Sequence, residues 1–176
     1  FVEDSGSNDY TREQITKATK KSKFIKKVFT NERGYGVSIY NGLKTTNGEY
    51  VGWMHADLQT DPEDAIKALK ILEKQPNEKI YVKGKRYGRP IFDVFFTFGM
   101  SIFETIVLMK PMYDINAQPN VAHNSFLKLM KNPPTDFSFD LYAYYLARKN
   151  NYKIVRFPVY FGKRLYGESK WNTGLK

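Results

Sequence analysis

The sequence predicts an α/β fold with a mostly parallel sheet flanked by helices, and three observations support this prediction. Short apolar runs typical of strands alternate along the chain with segments of helical periodicity. No repeat, linker or composition break divides the 176 residues, a length that suits one domain with one sizeable core. Acidic or basic residues directly follow several predicted strands, at the end where parallel sheets bind ligands.

The first half of the chain predicts five elements from local patterns. Gly34-Tyr35-Gly36 breaks the chain before a short helix, and Asn47-Gly48 is a strong turn signal. The elements are a strand ending near Phe1-Val2, a helix capped by Asp9 or Thr11, a strand near 23–30, a helix over 37–45 and a buried strand over 50–55.

The second half contains the clearest helix signal of the chain. Asp61-Pro62 is followed by two acids and by Ala65, Ile66, Leu69 and Leu72 at helical spacing, a pattern typical of a helix start. The remaining elements are a strand over 79–82, a helix over about 91–110, an irregular segment over 114–120, a helix over 139–150, a strand over 153–161 and a basic tail.

Composition restricts the classes of protein to which the chain can belong. Hydrophobic residues at 41% and aromatic residues at 16% exclude a disordered chain. The absence of cysteine excludes a disulfide scaffold, a zinc finger and a thiol nucleophile. With 28 Lys and Arg against 18 Asp and Glu, the net charge is +10, which favours an anionic partner.

The chain is expected to contain neither a membrane-spanning helix nor a signal peptide. Its most apolar stretch, 91–109, is interrupted by Asp93 and Glu104, whereas a spanning helix needs about 20 apolar residues with few charges. Phe1 opens directly into an acidic segment. These features predict a soluble, basic, intracellular domain.

Three polar segments are candidate sites, and each has a simpler alternative. Asp57 and Gln59 follow the YVGWMH strand and could face one hard cation, or the loop could only cap the next helix. The segment 33–36 could bind phosphate before a helix, or be a plain turn. The tail 163–171 could clamp a phosphate, or be a solvated basic surface. His55 and His123 lack the partners of a hydrolase triad.

Taken in order, these segments resemble glycosyltransferase family 2, which includes the dolichyl- and undecaprenyl-phosphate sugar synthases. The resemblance covers nearly the whole chain, and five ordered matches are far more specific than any one of them. The matching segments are VEDSGSND at 2–9, RGYG at 33–36 with NG at 41–42 and NGEY at 47–50, HADLQTDP at 55–62, GKR at 84–86 and RLYGESK at 164–170.

The resemblance implies a GT-A fold, which is Rossmann-like, and a divalent cation, Mg²⁺ or Mn²⁺, bound with a nucleotide-sugar donor. It also implies a lipid-phosphate or glycan acceptor. The implied roles are donor binding by Asp4 (at the nucleobase), Arg33, Gly36, Asp57 and Arg86; metal binding by Asp57 and Gln59; and phosphate or acceptor binding by Arg164, Ser169, Lys170, Asp114 and Gln118.

The sequence departs from the family pattern at several positions. His55 replaces the first Asp of the D-x-D motif, and imidazole prefers softer ions than a carboxylate does. Ser5 replaces the second Asp of the opening motif. The first strand of the family has no counterpart, so we expect residues 1–176 to be a fragment of a single GT-A domain that lacks that strand and any C-terminal extension.

The predicted activity is inverting sugar transfer, as in cell-envelope polysaccharide synthesis, in the cytoplasm or at the inner face of the membrane. A phosphate acceptor is already ionised and needs no general base, whereas a hydroxyl acceptor needs one, for which Asp136 and Asp140 are candidates. Two alternatives stay open. One is an inactive family member, suggested by His55, and the other is a nucleic-acid-binding module, suggested by the charge. If the chain transfers sugar, no nucleic-acid partner is expected.

Overall fold

The computed structural model describes residues 1–7, 10–75 and 79–162, and the elements within them follow the predicted order with two additions, a short fifth strand and a 3-10 helix. They are β1 (Val2–Ser5), α1 (Thr11–Lys20), β2 (Lys27–Thr30), α2 (Tyr35–Lys44), β3 (Tyr50–Trp53), α3 (Glu63–Glu73), β4 (Ile80–Tyr87), α4 (Ile91–Leu108), β5 (Asn120–His123), a 3-10 helix (Asn124–Leu129), α5 (Phe139–Lys149) and β6 (Lys153–Tyr160).

The strands form two small sheets, so the prediction of a mostly parallel sheet is wrong. β1 and β2 pair in parallel, and the second sheet has the order β3-β5-β4-β6. β5 is antiparallel to both β3 and β4, whereas β4 and β6 are parallel. The sequence pattern missed β5 because only its two central residues, Val121 and Ala122, are apolar and it follows a polar irregular segment. Since β5 alone is reversed, β3, β4 and β6 still point the same way.

Element boundaries differ from the predicted ones where partner strands decide them. β4 continues beyond the predicted 79–82 to Tyr87, because β6 pairs with it along eight residues. The predicted cap of α1 is not formed by Thr11, which is the first helical residue, and Tyr10 before it makes no side-chain cap hydrogen bond. The other predicted cap residue, Asp9, lies outside the described residues.

The main core lies between α5 and the second sheet. Tyr81 on β4 is fully buried against Phe126 of the 3-10 helix and the small residues of α5. On the other side of the sheet, Ala68 and Leu72 of α3 pack against β4 and β5. The helix predicted from the 61–72 pattern is therefore present and covers the sheet as expected.

A buried amine fixes the irregular segment 114–120 on β4. The Nζ atom of Lys83 donates hydrogen bonds to the Ala117 carbonyl at 2.6 Å, to Asn120 Oδ1 at 3.0 Å and to the Ile115 carbonyl. Burial lowers the pKa of Lys83 to about 7. Gly84 allows the close approach, because a Cβ atom there would lie 2.2 Å from the Gln118 carbonyl. The segment is therefore fixed by polar contacts although it has no regular structure.

Helix α4 corrects the expectation that no segment could cross a membrane. It is long and apolar enough to do so by length and composition, and Asp93 and Glu104 are too few to exclude it. Ser101 is its one buried residue, and most of its large apolar side chains are exposed. Core helices of soluble proteins pass the same test, but they are mostly buried.

Lys83→Met should destabilise the fold by about 3 kcal/mol, because two buried carbonyls and the Asn120 side chain would each lose a donor. Chemical denaturation of both proteins would measure this difference. Lys85→Met is the matched control, because Lys85 lies two residues along the same strand with an exposed side chain. Equal stability of the two variants would contradict the role given to Lys83.

Candidate active site

The carboxyl ends of β1, β2 and β3 open onto one cavity of about 1230 Å³. Gly6 and Ser7 follow β1, Arg33 follows β2 and His55 follows β3, and all four line the cavity. Between β1 and β3 the walls are apolar, as at Val51. The polar end, formed by the loops after the three strands, is therefore the part that suits a charged ligand.

The buried Asp4 forms an ion pair with the partly exposed Arg12 behind the first of these loops. Its Oδ2 atom accepts a hydrogen bond from Arg12 Nε at 2.7 Å and from the Ser7 amide at 3.2 Å, and Ser7 Oγ donates to Oδ1. Burial alone would raise the pKa of Asp4, but these bonds outweigh it and lower the pKa. Arg12 also donates to the Thr30 carbonyl at 2.6 Å. The pair thus joins β1, α1 and the end of β2.

The segment 33–36 begins helix α2 and packs tightly against the chain before α5. The amides of Gly36 and Val37 donate to the Thr135 carbonyl at 2.9 and 3.3 Å. A Cβ atom on Gly36 would lie 2.1 Å from the Pro134 carbonyl. The first amides of this helix therefore already have a partner, and Arg33 is the part of the segment that carries charge to the cavity.

The segment 55–59 forms a tight turn after β3. The Gln59 amide donates to Asp57 Oδ1 at 3.2 Å, and Leu58 between them adopts a left-handed φ of 59° with its side chain exposed. Non-glycine residues in this conformation are strained and often mark functional turns. The Gln59 backbone and side chain both bond to Gly162, at 2.8 and 3.1 Å. The end of β6 is thereby fixed to the turn.

The turn offers few ligands for a metal ion. Within the described ranges 1–7, 10–75 and 79–162, no group of three or more His, Asp or Glu side chains could hold one. Asp57 is the carboxylate of the turn, with the His55 and Gln59 side chains nearby in sequence. Mg²⁺ is often held by one or two carboxylates together with substrate phosphates and water. These residues therefore fit a cation that binds together with a diphosphate.

Asp140, at the start of α5, is a buried carboxylate that three donors approach. Its Oδ2 atom accepts from the Tyr35 hydroxyl at 2.8 Å and from Gln118 Nε2 at 3.5 Å, and Oδ1 accepts from Trp53 Nε1 at 2.8 Å. Gln118 Nε2 also donates to the Tyr35 hydroxyl at 2.7 Å, and His55 Nε2 lies 3.3 Å from that hydroxyl. Burial, followed by the Asp140 charge, raises the pKa of Tyr35.

Asp114, in the segment 114–120, is a second buried carboxylate, and it lies among three arginines. Arg86 Nε donates to Oδ1 at 2.7 Å and the Arg86 amide donates to Oδ2 at 3.0 Å, while Arg156 and Arg89 lie at 3.5 and 3.8 Å. Burial alone would raise the pKa of Asp114, but the arginines outweigh it and lower the pKa. Three cations face one carboxylate, so the cluster carries net positive charge.

The arginine cluster lies next to the 55–59 turn. The Arg86 guanidinium lies 5.1 Å from the ring centre of Phe161, and the following residue, Gly162, is bonded to Gln59. The segment 114–120 also joins the two carboxylate clusters, because it contributes Asp114 to one and Gln118 to the other. Asp57, Gln59, Arg86, Asp114 and Gln118 therefore belong to neighbouring parts of the fold.

Among the remaining predicted site residues that the structure describes, Asp136 is not part of these clusters. Asp136 is exposed before α5, where its carboxylate accepts hydrogen bonds from the Ser138 amide at 2.9 Å and from the Ser138 hydroxyl at 2.6 Å. The predicted phosphate-binding residues Arg164, Ser169 and Lys170 lie outside the described residues.

Sequence reasoning missed several residues that build the site. Arg12, Trp53, Arg89 and Arg156 carry no local motif, and each acts through a partner distant in sequence. Tyr35 lies inside the RGYG segment, where the glycines drew attention to phosphate binding and away from the hydroxyl. Only a contact prediction between α2 and α5 could have identified it.

Comparison with known families identifies the chain's relatives. A family model described as Glycosyl transferase family 2 matches residues 1–127, which is more than half of the chain. This confirms the resemblance stated from the motifs. The sequence match includes the loops after β1, β2 and β3 and the arginine and carboxylate of the Arg86–Asp114 pair.

Solved structures of glucosyl-3-phosphoglycerate synthase from Mycobacterium tuberculosis share the fold. The complex with uridine diphosphate has a TM-score of 0.70 at 14% identity, covering 98% of this chain and 62% of the synthase. The complex with Mn²⁺, UDP-glucose and phosphoglyceric acid has a TM-score of 0.69 at 14% identity, with 95% and 61% covered. This chain therefore spans about three fifths of the length of these synthase structures, and the likeness shows a GT-A-like α/β fold.

Asp114→Asn should destabilise the protein by about 3 kcal/mol at neutral pH, because the buried arginines would lose their counter-charge. The folded-state pKa of Asp114 lies below its ordinary value of 3.8. The stability difference between the natural protein and Asp114→Asn should therefore be full above pH 3.8. It should shrink as the pH falls through the folded-state pKa of Asp114. Denaturant titrations across this range would measure it. Asp136→Asn, at an exposed carboxylate, should change stability little, and a constant difference for Asp114→Asn at all pH values would contradict the account.

Proposed function

Because the chain belongs to glycosyl transferase family 2, we propose that it transfers a sugar from a nucleotide-sugar donor to a phosphate-bearing acceptor with inversion at the anomeric carbon. The observation that carries this proposal is the convergence of three strand ends on one cavity, next to a buried cluster with excess positive charge. A donor with a diphosphate and an anionic acceptor would both be attracted there.

The polar end of the cavity is the proposed donor site. We assign Asp4 to its nucleobase end, Arg33 to the nucleotide and Asp57 to the diphosphate, whereas Gly36 contributes only by letting α2 begin against the Thr135 carbonyl. Arg33 brings a permanent charge to the cavity, and Asp4 fixes the loop that contains Ser7. The solved relatives include complexes with UDP and UDP-glucose, which supports testing uridine donors first.

Asp57, with Gln59, would hold a divalent cation together with the donor diphosphate. Such a cation neutralises the charge that develops on the nucleoside diphosphate as it leaves. The protein's own part is to keep the turn in one shape. The left-handed Leu58 and the two bonds from Gln59 to Gly162 do this before any ligand binds.

The acceptor is proposed to be a phosphate, and the lipid phosphates named by the family resemblance fit this chemistry. Its oxygen forms the new bond to the anomeric carbon while the bond to the nucleoside diphosphate breaks. An ionised phosphate needs no general base. Arg86, with Arg89 and Arg156, supplies the positive charge near the turn. Asp114 is their positioning residue, and Arg164, Ser169 and Lys170 are proposed to add phosphate contacts.

A glycan acceptor would require a base, and Asp140 is the candidate that lies near the cavity. Both of its oxygens accept hydrogen bonds, and its side chain is buried. Because Asp140 is only 2% exposed, an acceptor hydroxyl could reach it only if the side chains around it moved. Neither carboxylate lines the cavity, but Tyr35 and Trp53, which bond to Asp140, do, whereas Asp136 is exposed and bonds to Ser138. These two observations favour the phosphate acceptor over the glycan.

Asp57→Ala should abolish the enhancement of donor binding by Mn²⁺ and weaken binding at least about tenfold, because it removes the charged ligand of the turn. Titration calorimetry with UDP-glucose, with and without Mn²⁺, would measure both effects. Asp61→Ala is the matched control: Asp61 lies in the same loop, but its carboxylate caps α3 by accepting from the Glu63 amide at 2.9 Å. Unchanged Mn²⁺-dependent affinity in Asp57→Ala would overturn the assignment.

The same titration, combined with an assay of sugar transfer, separates an active enzyme from an inactive family member. His55→Asp restores a hard oxygen ligand in the turn, so metal-dependent binding should be equal or stronger. Donor binding without any sugar transfer, in both the natural chain and His55→Asp, would favour the inactive alternative. A clear loss of binding in His55→Asp would instead show that the imidazole has its own role beside Tyr35.

A further inference from the structure

Helix α4 is attached to the rest of the protein by its hydroxyl side chains. Thr97 Oγ1 accepts from Arg89 Nη1 at 2.9 Å, and Ser101 Oγ accepts from the Asp114 amide at 3.3 Å. Thr105 Oγ1 accepts from the Met112 amide at 2.9 Å. These residues recur every fourth position and so form one stripe along the helix. The polar stripe of α4 therefore faces the protein.

The two acidic residues of α4, Asp93 and Glu104, lie close to this stripe, four residues before Thr97 and three after Ser101. The rest of the helix surface is apolar and mostly exposed. Its largest exposed side chains include Phe92, Phe95, Phe96, Phe98, Phe103 and Ile106. A surface helix of a soluble protein has the opposite arrangement, with its apolar stripe inward and its polar face in water. A continuous apolar surface of this kind marks an interaction site. The environment that covers α4 must therefore be apolar.

We propose that the exposed face of α4 lies in the interfacial region of a lipid bilayer that contains anionic lipids. Two packed helices cover only a narrow strip of each other, whereas the exposed residues of α4 lie on all sides except the hydroxyl stripe. A bilayer can cover such a broad face, and a second copy of the chain cannot cover it as fully. This argument favours a lipid surface over a dimer.

Charge and aromatic side chains near the start of α4 support the same surface. Tyr87, four residues before α4 begins, and Tyr160 are both exposed. Their rings pack edge to face with the ring centres 5.6 Å apart. Lys85 is exposed on the same strand as Tyr87. Tyrosine is enriched at membrane–water interfaces, and basic residues attract anionic lipids. The net charge of +10 acts in the same direction.

The arginine cluster indicates that α4 lies along the bilayer and does not cross it. The hydroxyl stripe bonds directly to Arg89 and to the Asp114 backbone. A spanning orientation would bring these charges into the hydrocarbon, which is costly. An orientation along the surface keeps them on the protein side. The inference goes beyond the proposed sugar transfer and does not depend on it.

The test is co-sedimentation with vesicles in the absence of any donor. The natural chain should bind vesicles of equal parts phosphatidylcholine and phosphatidylglycerol, and more weakly vesicles of phosphatidylcholine alone. Phe92→Ser with Phe95→Ser should weaken binding at least about tenfold, because two large apolar side chains no longer enter the bilayer. Tyr10→Ser with Phe24→Ser is the matched control. Phe24 is as exposed as Phe92, at 84%, and Tyr10 is as exposed as Phe95, at 77%.

Each outcome of this experiment supports or overturns the inference. Loss of vesicle binding in the α4 double variant alone, with unchanged thermal melting, supports it. Equal loss in both double variants, or no binding by the natural chain, overturns it. A natural chain that sediments as a dimer without vesicles and becomes monomeric in the α4 variant would show that a second copy covers the helix. Binding that resists alkaline carbonate would show a spanning helix instead.

Discussion

The buried carboxylate of Asp140 is the contact on which the candidate site depends. A charge removed from water must be matched by donors, or it destabilises the fold. Tyr35, Trp53 and Gln118 provide those donors from α2, β3 and the segment 114–120. The requirement therefore holds four parts of the chain together beneath the cavity. Tyr35, fixed in this way, also touches His55 beside the Asp57 turn.

The same logic explains how an irregular segment can be a rigid part of the site. Segment 114–120 is fixed by charged side chains at both ends, with Asp114 among arginines and Gln118 beside Asp140. The Lys83 amine anchors its middle from β4. Because the segment belongs to both clusters, a substitution at Asp114 can shift Gln118 and so alter the hydrogen bonds of Asp140. The Asp114 amide also donates a hydrogen bond to Ser101 Oγ of α4. This bond connects the site to the helix that carries the exposed apolar face.

Much of the fold could be predicted from sequence, because periodicity and turn residues are local signals. The order of helices and strands follows from them, and the family resemblance follows from the ordered motifs, but β5 has polar residues at both ends and shows no strand pattern. Asp140 was selected only for its place near the start of a helix, since its donors Tyr35 and Trp53 lie 105 and 87 residues away. Periodicity also identified α4 as a helix. It could not show that the hydroxyl stripe faces inward, because that depends on what the helix packs against.

The central claim is that a nucleotide sugar binds where β1, β2 and β3 end, above the Asp140 network. Hydrogen–deuterium exchange tests it most directly, with UDP-, GDP- and dTDP-linked sugars added in turn together with Mn²⁺. The account predicts that at least one donor slows amide exchange in segments 33–36 and 55–60. A donor that binds but leaves both segments unchanged, or the absence of any response to all three donors, would contradict it.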